Sequence, residues 1–363
     1  MTASLDRPLV AVVLAGGTGT RLYPASRSDR PKQFRSFGGE RSLLGRTVDR
    51  LDVADEVLVL TRPAFADEAA AHAPSATVVT EPAGKDTGPA LVYGTALARE
   101  RVRDDDDEAS EASEAGDSDP VVLAVPSDHH VGDDEAFAAT MRRGAAVAAD
   151  TGSLVTFGVE PDRPATGYGY VEPGADRGDH AAVEAFHEKP DRETAASYVA
   201  EGALWNAGLF AWTPTALLSA AADTPLSGLA AALDDAAGRG PEAVARAGEA
   251  AYDDLDAVSV DYAVMERADD VAVVPASFPW DDLGAWDAVG RVFDGDADGN
   301  VALTEAVTVD AADNVVAGDK HVSLVGVEGL AVVAVEDRVL VAPKSDAQRV
   351  RDVVAELREE GRF

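Results

Sequence analysis

Apolar runs of strand length alternate with segments of helical periodicity along the first half of the chain. The runs Leu9–Leu14, Glu56–Thr61 and 121–125 are almost uninterrupted, as expected of parallel strands that are buried on both faces. Residues 42–51, and those from 89 to about 100, instead carry apolar side chains at helical spacing. Because strands separated by helices imply right-handed crossovers, the pattern predicts an α/β fold with a mostly parallel sheet.

The pattern changes after Gly299, where short β-branched runs are separated by turn residues. These runs predict either a short left-handed β-helix or a small sheet, and residues 346–358 predict a closing amphipathic helix. We therefore predict two domains, a large one at residues 1–295 and a small β-rich one at 296–363. The short runs are 301–303, 307–309, 314–316, 322–327, 331–335 and 339–342.

The chain is strongly acidic for its length. Its 363 residues include 66 Asp and Glu against 31 Lys and Arg, which gives a formal net charge of −35. This balance argues against nucleic acid or an anionic membrane as a partner, because both attract cationic surfaces. The aliphatic content is too high for a disordered acidic protein, so we predict a folded, heavily hydrated surface suited to a salt-rich, halophilic cytoplasm.

Other features of the composition bear on chemistry and compartment. Cysteine is absent, which excludes disulfides and thiolate catalysis. No signal peptide precedes the first strand and no apolar run approaches membrane length, so we predict a cytoplasmic protein. The acidic run 104–119 has no large apolar residue to anchor it, and it predicts a solvated surface insert rather than a metal-binding segment.

A glycine-rich turn follows the first strand and supplies the first candidate chemistry. Residues 16–19 read Gly-Gly-Thr-Gly, which lets the backbone approach a ligand and turn its N–H groups toward phosphate oxygens. Arg21 and Lys32 add two cations, which suits a triphosphate. The turn is not a Walker loop, because no Gly-Lys-Ser/Thr follows, and Leu22 stands where the dinucleotide fingerprint requires a third glycine.

A second candidate lies just past the strand at 121–125. Asp128 follows this strand closely, and a carboxylate in that position can hold Mg²⁺ against a nucleotide phosphate. His129 and His130 would suit a transition metal, but no nearby carboxylate–histidine array completes such a site. We therefore expect both histidines to serve packing or hydrogen bonding.

The run 12–34, VVLAGGTGTRLYPASRSDRPKQF, resembles the signature of the sugar-1-phosphate nucleotidyltransferases, and its ending is similar to the mannose-1-phosphate guanylyltransferase branch. Four later runs match the same family in order. The resemblance implies a Rossmann-like nucleotidyltransferase (GT-A-like) domain with a mixed, mostly parallel sheet, followed by a β-helix-like tail through which similar proteins often form homodimers. The later runs are 166–172, 186–190, 205–210 and 280–286.

The resemblance also implies the roles of individual residues. Arg21 and Lys32 become the catalytic cations, while Asp128 and Asp282 hold Mg²⁺, with Asp281 the less favoured neighbour. The nucleotide is assigned to Leu14, Ala15, Gly16, Gly17, Thr18, Gly19, Thr20, Glu81, Lys85, Asp86, Thr87 and Ser127. The sugar phosphate is assigned to Gly167, Tyr168, Glu172, Glu188, Lys189 and Asn206.

The activity that the resemblance implies is the transfer of GMP from GTP to α-D-mannose 1-phosphate, giving GDP-mannose and pyrophosphate. Another nucleotide and hexose, such as UTP or dTTP with glucose 1-phosphate, is one alternative. A non-catalytic nucleotide-sugar-binding regulatory subunit is another. The departures from the family pattern bear on hexose choice more than on reaction type; they are Tyr23, Lys85, Asp86, His187 and Ala207.

Overall fold

The computed structural model describes residues 5–109 and 119–363, and the side chains of 104–109 lie outside that description together with the rest of the predicted insert. The chain forms two compact units. The sheet unit contains residues 5–16, 48–109, 119–126 and 133–278, and the tail unit contains residues 17–47, 127–132 and 279–363.

The strands and helices follow one another in the predicted alternation. The strands are β1 (Leu9–Leu14), β2 (Glu56–Thr61), β3 (Thr77–Thr80), β4 (Val121–Pro126), β5 (His130–Val131), β6 (Leu154–Val159), β7 (Tyr170–Asp176), β8 (Ala181–His187), β9 (Leu204–Trp212), β10 (Val271–Pro275), β11 (Trp280–Asp281), β12 (Val301–Ala302), β13 (Ala306–Val309), β14 (Val315–Gly318), β15 (Val322–Val325), β16 (Leu330–Val335) and β17 (Arg338–Pro343). The α-helices are α1 (Leu43–Asp49), α2 (Ala66–His72), α3 (Thr87–Ala109), α4 (Asp134–Thr151), α5 (Arg192–Glu201), α6 (Pro214–Ala221), α7 (Ser227–Asp235), α8 (Pro241–Tyr252), α9 (Trp286–Val292) and α10 (Val350–Glu359). Among the described helices, none combines the length and the apolar character that a membrane span requires.

A nine-stranded sheet organises the sheet unit. Its order is β3-β2-β1-β4-β9-β6-β10-β8-β7, and β8 and β9 run opposite to the other strands. The predicted mixed, mostly parallel sheet is therefore confirmed. Because β1, β2, β3 and β4 are parallel neighbours, the segments that follow them leave from the same edge of the sheet.

The core of the sheet unit forms around α3. This helix packs on β1 and against α6, α7 and α8, and the residues in contact are largely Val, Leu and Ala with a few aromatic side chains. Trp212 is fully buried there, and its indole Nε1 donates a hydrogen bond to Thr95 Oγ1 at 3.0 Å. The buried polar atom is thus satisfied, as burial of an indole requires.

The end of α3 differs from the prediction. The sequence pattern places the end of this helix near Glu100, whereas α3 continues to Ala109. A helix that has already formed gains one backbone hydrogen bond for each residue it adds, so it can extend beyond its apolar stripe into the acidic run. Residues 110–118 of the predicted insert lie outside the described residues.

The tail unit contains a β-helix. Successive strands alternate between a sheet of β12, β14 and β16 and a second sheet of β13 and β15, with parallel pairing in both, while β17 pairs antiparallel with β16. Two buried asparagines join successive coils, because Asn314 Nδ2 donates to Asn300 Oδ1 at 2.9 Å and the N–H of Leu330 donates to Asn314 Oδ1 at 2.9 Å. The β-rich C-terminal region predicted from the β-branched runs is confirmed.

The glycine-rich segment shares a hydrophobic core with this tail. Leu22, Phe37 and Leu43 are buried against Trp286 and the inward side chains of the β-helix and α10. The indole Nε1 of Trp286 also donates to the backbone oxygen of Tyr23 at 2.9 Å. The segment after β1 is therefore fixed by residues that come more than two hundred positions later.

The net charge of −35 predicts a fold that depends on salt. Repulsion between surface carboxylates acts over a Debye length of about 30 Å at 0.01 M salt but only about 3 Å at 1 M. The melting temperature is therefore expected to rise when KCl is increased across this range. Thermal unfolding followed by circular dichroism measures it, and a flat profile would contradict the halophilic interpretation of the composition.

Candidate active site

The glycine-rich turn presents backbone donors that the protein itself does not use. Within the described part of the chain, the N–H groups of residues 17–20 donate no hydrogen bond to another protein group. The carbonyl groups of the turn are held instead, because Gln33 Nε2 donates to the oxygen of Gly17 at 2.9 Å and Ser26 Oγ donates to that of Gly19. A run of unused N–H groups is a ready anion site, since each otherwise requires water.

Gly19 is required by the shape of this turn. Its φ of 59° lies in the left-handed region, and a Cβ at this position would overlap the side chain of Lys32. Any other residue would therefore strain the backbone and displace the lysine. The glycine motif thus has a steric cause beyond general flexibility.

Lys32 joins three distant segments of the tail unit. Its side chain is 4% exposed, and Nζ donates to Asp128 Oδ2 at 2.9 Å and to the backbone oxygen of Asp282 at 2.6 Å. Burial favours the neutral acid at Asp128, but the ammonium of Lys32 outweighs it, and the pKa of the Asp128 carboxyl lies below its usual value. Asp128 is therefore held as a carboxylate.

A short strand pair brings together the two segments that carry the candidate metal carboxylates. In this pair, β5 lies antiparallel to β11, with His130 opposite Asp281. Asp128 precedes β5 and Asp282 follows β11, so segments separated by more than 150 residues meet beside Lys32. Carboxylate oxygens are the ligands that Mg²⁺ prefers, and a phosphate-bound Mg²⁺ needs only one or two of them, so this donor set fits the ion. No larger group of His, Asp or Glu side chains that could hold a metal occurs in the described residues.

Asp281 and Asp282 have different surroundings. Asp281 is buried, with Oδ2 accepting from Arg291 Nη2 at 3.0 Å and Oδ1 accepting from the N–H of Leu283 at 2.8 Å. Asp282 is half-buried, and its Oδ1 accepts from the N–H of Gly284 at 2.9 Å. Asp281 thus forms a structural ion pair, and Asp282 is the more accessible ligand of the two.

The two histidines have the packing and hydrogen-bonding roles expected from the sequence. His129 Nδ1 accepts a hydrogen bond from Trp280 Nε1 at 3.2 Å, and the two rings meet edge to face. His130 lies edge to face with the ring of Phe293 at 5.8 Å. Burial lowers the pKa of His129, which favours the neutral imidazole that can accept from the indole.

In the sheet unit, Glu81 is a buried carboxylate with an unsatisfied oxygen. Its Oε2 has no hydrogen-bond partner in the described residues, and a Cβ at Gly16 would lie 2.7 Å from its Oε1. Burial raises the pKa of Glu81 to about 7, and the nearby charge of Arg62 offsets only part of that rise. A buried oxygen without a donor is costly, so the position favours a ligand that brings one.

The residues after Glu81 have structural partners. Lys85 Nζ donates to the backbone oxygen of Leu255 at 2.6 Å. Asp86 accepts from the N–H of Thr87 at 2.7 Å at the start of α3, and Thr87 Oγ1 accepts from the N–H of Val260 at 3.0 Å. The structure thus shows these three side chains organising their own segment, and their contacts with nucleotide stay a prediction.

Asn206 is held by a hydrogen-bond network that fixes its amide. Its Oδ1 accepts from Thr156 Oγ1 at 2.9 Å and from the N–H of Gly208 at 3.1 Å. Its Nδ2 donates to Asp261 Oδ1 at 2.7 Å. The acceptor side of the amide is thus filled from within, and the second N–H is the part of Asn206 suited to a ligand oxygen.

Acidic side chains and one lysine surround this network. Glu188 forms an ion pair with Lys189, and a Cβ at Gly169 would lie 2.9 Å from Glu188 Oε2. Burial, together with the charge of Glu188, raises the pKa of Asp261 to about 6. Donors and acceptors therefore lie together here, the combination that a polyhydroxyl ligand with an anionic group requires.

Glu172 and the predicted aromatic residues border the same region of the sheet unit. Glu172 Oε1 lies 2.6 Å from His187 Nε2, and the His187 ring stacks on Tyr198 with centroids 4.5 Å apart. Tyr168 meets Trp205 edge to face at 5.0 Å, while Gly167 is exposed. His187, one of the departures from the family pattern, therefore has a partner in Glu172.

Several contacting residues were absent from the sequence-based site. Asp261 lies in the run 259–266, where a carboxylate among apolar residues was an available signal. Ser26 and Gln33 lie inside the glycine-rich run, but only the structure shows them bonding its carbonyl groups. Thr156 is buried in β6 and gives no signal in the sequence.

Comparison with known proteins bears on the family and the fold. Residues 10–299 match a family model described as nucleotidyl transferase, and residues 304–357 match one described as a MannoseP isomerase/GMP-like beta-helix domain. The chain is 36% identical to the xanthan biosynthesis protein XanB of Xanthomonas campestris pv. campestris (strain B100) and 35% identical to the mannose-1-phosphate guanylyltransferase of Escherichia coli (strain K12). Each match covers 98% of this chain and 74% of the relative.

A solved structure from Thermus thermophilus, named as a mannose-1-phosphate geranyltransferase, is similar over the whole fold. It shares 34% identity with a TM-score of 0.82, over 96% of this chain and 99% of that one. The fold and the family match define a nucleotidyltransferase enzyme. The chain belongs to the nucleotidyltransferase family and, within it, to the group that contains the mannose-1-phosphate guanylyltransferases.

Proposed function

We propose that this enzyme transfers GMP from GTP to α-D-mannose 1-phosphate, releasing pyrophosphate and forming GDP-mannose. The observation that carries the proposal is the bonding of Lys32 to the Asp128 carboxylate and to the backbone oxygen of Asp282, which joins a cation to the two segments that carry the candidate metal carboxylates. The name of the relative from Escherichia coli supports the same pair of substrates.

The protein's part in the reaction is positioning and charge stabilisation. The unused N–H groups of residues 17–20 and the guanidinium of Arg21 bind the triphosphate, and Lys32 faces the charge that develops on the transferring group. A sugar phosphate is already an anionic nucleophile, so in-line attack on the α-phosphorus requires no general base.

Asp128 and Asp282 are the residues proposed to hold Mg²⁺. When bound, Mg²⁺ would draw charge from the phosphate oxygens as a Lewis acid. Asp128 is kept ionised by Lys32, and the side chain of Asp282 is half-buried. These features favour a hard cation at this position. Asp281, which pairs with Arg291, has a structural role instead.

Glu81 is the residue proposed to read the base. Guanine presents N1–H and an exocyclic N2 amine side by side, and an ionised carboxylate can accept from both. Glu81 is buried with Oε2 unpartnered in the described residues, so this pair of donors would satisfy it. A pyrimidine offers no matching pair of donors at this spacing, which favours GTP over UTP and dTTP.

The Asn206 network is proposed to bind the sugar phosphate together with Glu188 and Lys189. Asp261 acts through Asn206, because it holds one N–H of the amide and so directs the other. Asp261→Ala is expected to raise the KM for mannose 1-phosphate about tenfold, equivalent to about 1.4 kcal/mol, while leaving the KM for GTP unchanged.

Asp261→Asn is the matched variant for this prediction. An asparagine can still offer its amide oxygen to Asn206 Nδ2, so we expect a KM for mannose 1-phosphate within about threefold of the native value. Steady-state kinetics with each substrate varied in turn measures both variants. An equal loss in the two variants would assign the effect to the carboxylate charge instead of to the hydrogen bond.

The proposed activity is tested by pairing each nucleoside triphosphate with each hexose 1-phosphate. Purified protein in high KCl with Mg²⁺ is incubated with GTP, ATP, UTP or dTTP and with mannose or glucose 1-phosphate, and pyrophosphate is measured. We expect the highest kcat/KM with GTP and mannose 1-phosphate. Turnover confined to UTP or dTTP with glucose 1-phosphate would replace the substrates, and binding of GDP-mannose without turnover of any pair would indicate a regulatory subunit.

A cytoplasmic location and a homodimeric state stay predictions for this enzyme. Sedimentation of the purified protein in high KCl tests the second of these.

A further inference from the structure

The guanidinium of Arg21 is held by a residue of the tail. Arg21 Nη1 donates to Gln348 Oε1 at 3.2 Å, across 327 positions of sequence. Gln348 lies in the short 3₁₀ helix Lys344–Arg349, which immediately precedes α10. In the described residues, Arg21 makes no other hydrogen bond or ion pair through its side chain.

The chemical nature of this partner is unusual for the chain. The sequence contains 66 Asp and Glu but two Gln, Gln33 and Gln348, so a carboxylate would be the more frequent neighbour of an arginine. Asp128 neutralises Lys32 in that way. An amide oxygen orients the guanidinium through a hydrogen bond yet leaves its whole positive charge available to an anion.

The tail also contacts the residues that follow Arg21 in the sequence, and these contacts fix the backbone of that segment. Glu336, in the turn between β16 and β17, accepts from Arg27 Nη2 at 2.9 Å and also pairs with Arg30. The ring of Tyr23 lies 6.1 Å from that of Phe363, and the guanidinium of Arg338 lies over Tyr23 at 5.7 Å. The tail thus holds both the segment after the glycine-rich turn and one of its cations.

We propose that Gln348 is a positioning residue for the reaction, orienting Arg21 toward the triphosphate of the nucleotide without cancelling its charge. This inference rests on the proposed function, because it takes Arg21 to bind that triphosphate. It gives the tail unit a part in nucleotide binding that is exerted through Arg21. The neutral amide is the essential property, so a carboxylate of the same size at this position is harmful.

Two substitutions separate positioning from simple packing. Gln348→Ala removes the acceptor and is expected to weaken binding of inorganic tripolyphosphate about three- to tenfold, with the KM for GTP rising by the same factor. Gln348→Glu keeps the size of the side chain but forms an ion pair with Arg21, and is expected to weaken both at least about tenfold at low salt. A packing role predicts the opposite order, because glutamate is nearly isosteric with glutamine.

Three controls distinguish a loss of positioning from a general effect of added charge or of lower stability on tripolyphosphate binding. Ser345→Glu adds one negative charge in the same exposed 3₁₀ helix, and it should leave tripolyphosphate affinity within about twofold of the native value. Melting temperatures of all variants should agree within a few degrees. Raising KCl to about 1 M should narrow the gap between Gln348→Glu and Gln348→Ala, because the Debye length falls to about 3 Å.

A double-mutant cycle with Arg21→Met decides the proposal. Without Arg21, neither Gln348 substitution should have any further effect on tripolyphosphate affinity measured by calorimetry. Persistent effects in that background, or a Gln348→Glu variant that binds better than Gln348→Ala, would overturn the positioning role. Tripolyphosphate binding needs no sugar, so it tests the positioning role separately from the reaction. If the native protein and the Gln348 variants bind tripolyphosphate in the expected order of affinity, but the native protein turns over no GTP with mannose 1-phosphate, the proposed function alone would be refuted. Native protein that fails to bind tripolyphosphate would refute both.

Discussion

Asp282→Ala is expected to lower the rate of pyrophosphate release by at least about 10²-fold, because it removes one of two carboxylates proposed to hold the metal against the transferring phosphate. Asp128→Asn is expected to fall equally far. Asparagine is chosen there since its amide oxygen still accepts from the buried Lys32, whereas alanine would remove this hydrogen-bond acceptor and would also reduce stability. Initial rates and melting temperatures should show a loss of turnover in folded protein.

The metal itself provides a second measurement for the same pair. Each variant should require a higher Mg²⁺ concentration for half-maximal activity, since one carboxylate holds the ion less tightly than two. Asp281→Asn is the matched control, because asparagine keeps an acceptor for the N–H of Leu283 and leaves Arg291 paired with Asp287. An inactive Asp281→Asn beside a normal Asp282→Ala would transfer the metal role to Asp281. Normal turnover in both Asp128→Asn and Asp282→Ala, with Mg²⁺ as the only divalent ion, would rule out the two-carboxylate mechanism.

The second large effect is expected at Glu81. Glu81→Gln offers the base one acceptor where guanine needs two, and it turns an amide donor toward another donor. We expect kcat/KM for GTP to fall about 10²-fold, as happens when a site built for hydrogen bonding loses a partner. Inosine triphosphate lacks the N2 amine, so the preference for GTP over this analogue should nearly vanish in the variant.

The raised pKa of Glu81 adds a pH dependence to this prediction. Guanine binds the ionised carboxylate, and with a pKa of about 7 that form becomes scarce below pH 7. The KM for GTP should therefore be about tenfold higher at pH 6 than at pH 8. The stability of the protein without ligand has the opposite trend. The folded state holds this proton more tightly than the unfolded chain, so the contribution of Glu81 declines as pH rises from about 4.5 to about 7.

A matched substitution shows whether the pH dependence of GTP binding comes from Glu81 or from general effects of pH on the protein. Glu56→Gln changes the same residue type at the amino end of β2, where Glu56 pairs with Arg101 at 2.7 Å. This variant should keep both the base preference and the pH profile of GTP binding. Glu81→Gln should lose the profile between pH 6 and pH 8. A profile that survives in Glu81→Gln would assign the titration to another group, and an unchanged preference for GTP over inosine triphosphate would remove Glu81 from base recognition.

Much of the fold could be predicted from local patterns. The apolar runs at Leu9–Leu14 and Glu56–Thr61 coincide with β1 and β2, because a strand buried on both faces leaves a nearly continuous apolar signature. The position of β9 could not be read in the same way. This strand lies between β4 and β6 and runs opposite to both, a pairing that depends on the whole sheet and not on its own residues.

The same division applies to the candidate site. The glycine turn, Asp128 and Asp282 each follow recognisable motifs, so their residue types could be anticipated. Other contacts of the site could not be anticipated in this way. Lys32 bonds the segments of both carboxylates, Asp281 is paired with Arg291, and Gln348 holds Arg21, and each contact joins residues that are not neighbours in the sequence. Contacts of this kind leave no periodicity, and only the folded arrangement identifies them.

The shared core of the glycine-rich segment and the tail limits how this enzyme could be shortened or recombined. The two family models divide the sequence near residue 300, which suggests interchangeable modules. A protein ending at residue 299 would nevertheless expose Leu22, Phe37 and Leu43, because their partners along the β-helix and α10 would be missing. Exchanging tails between relatives would succeed only when residues 17–47 are transferred from the same relative as the tail. Residues 17–47 and the tail therefore have to be kept or exchanged together, because they share one core although they are far apart in the sequence.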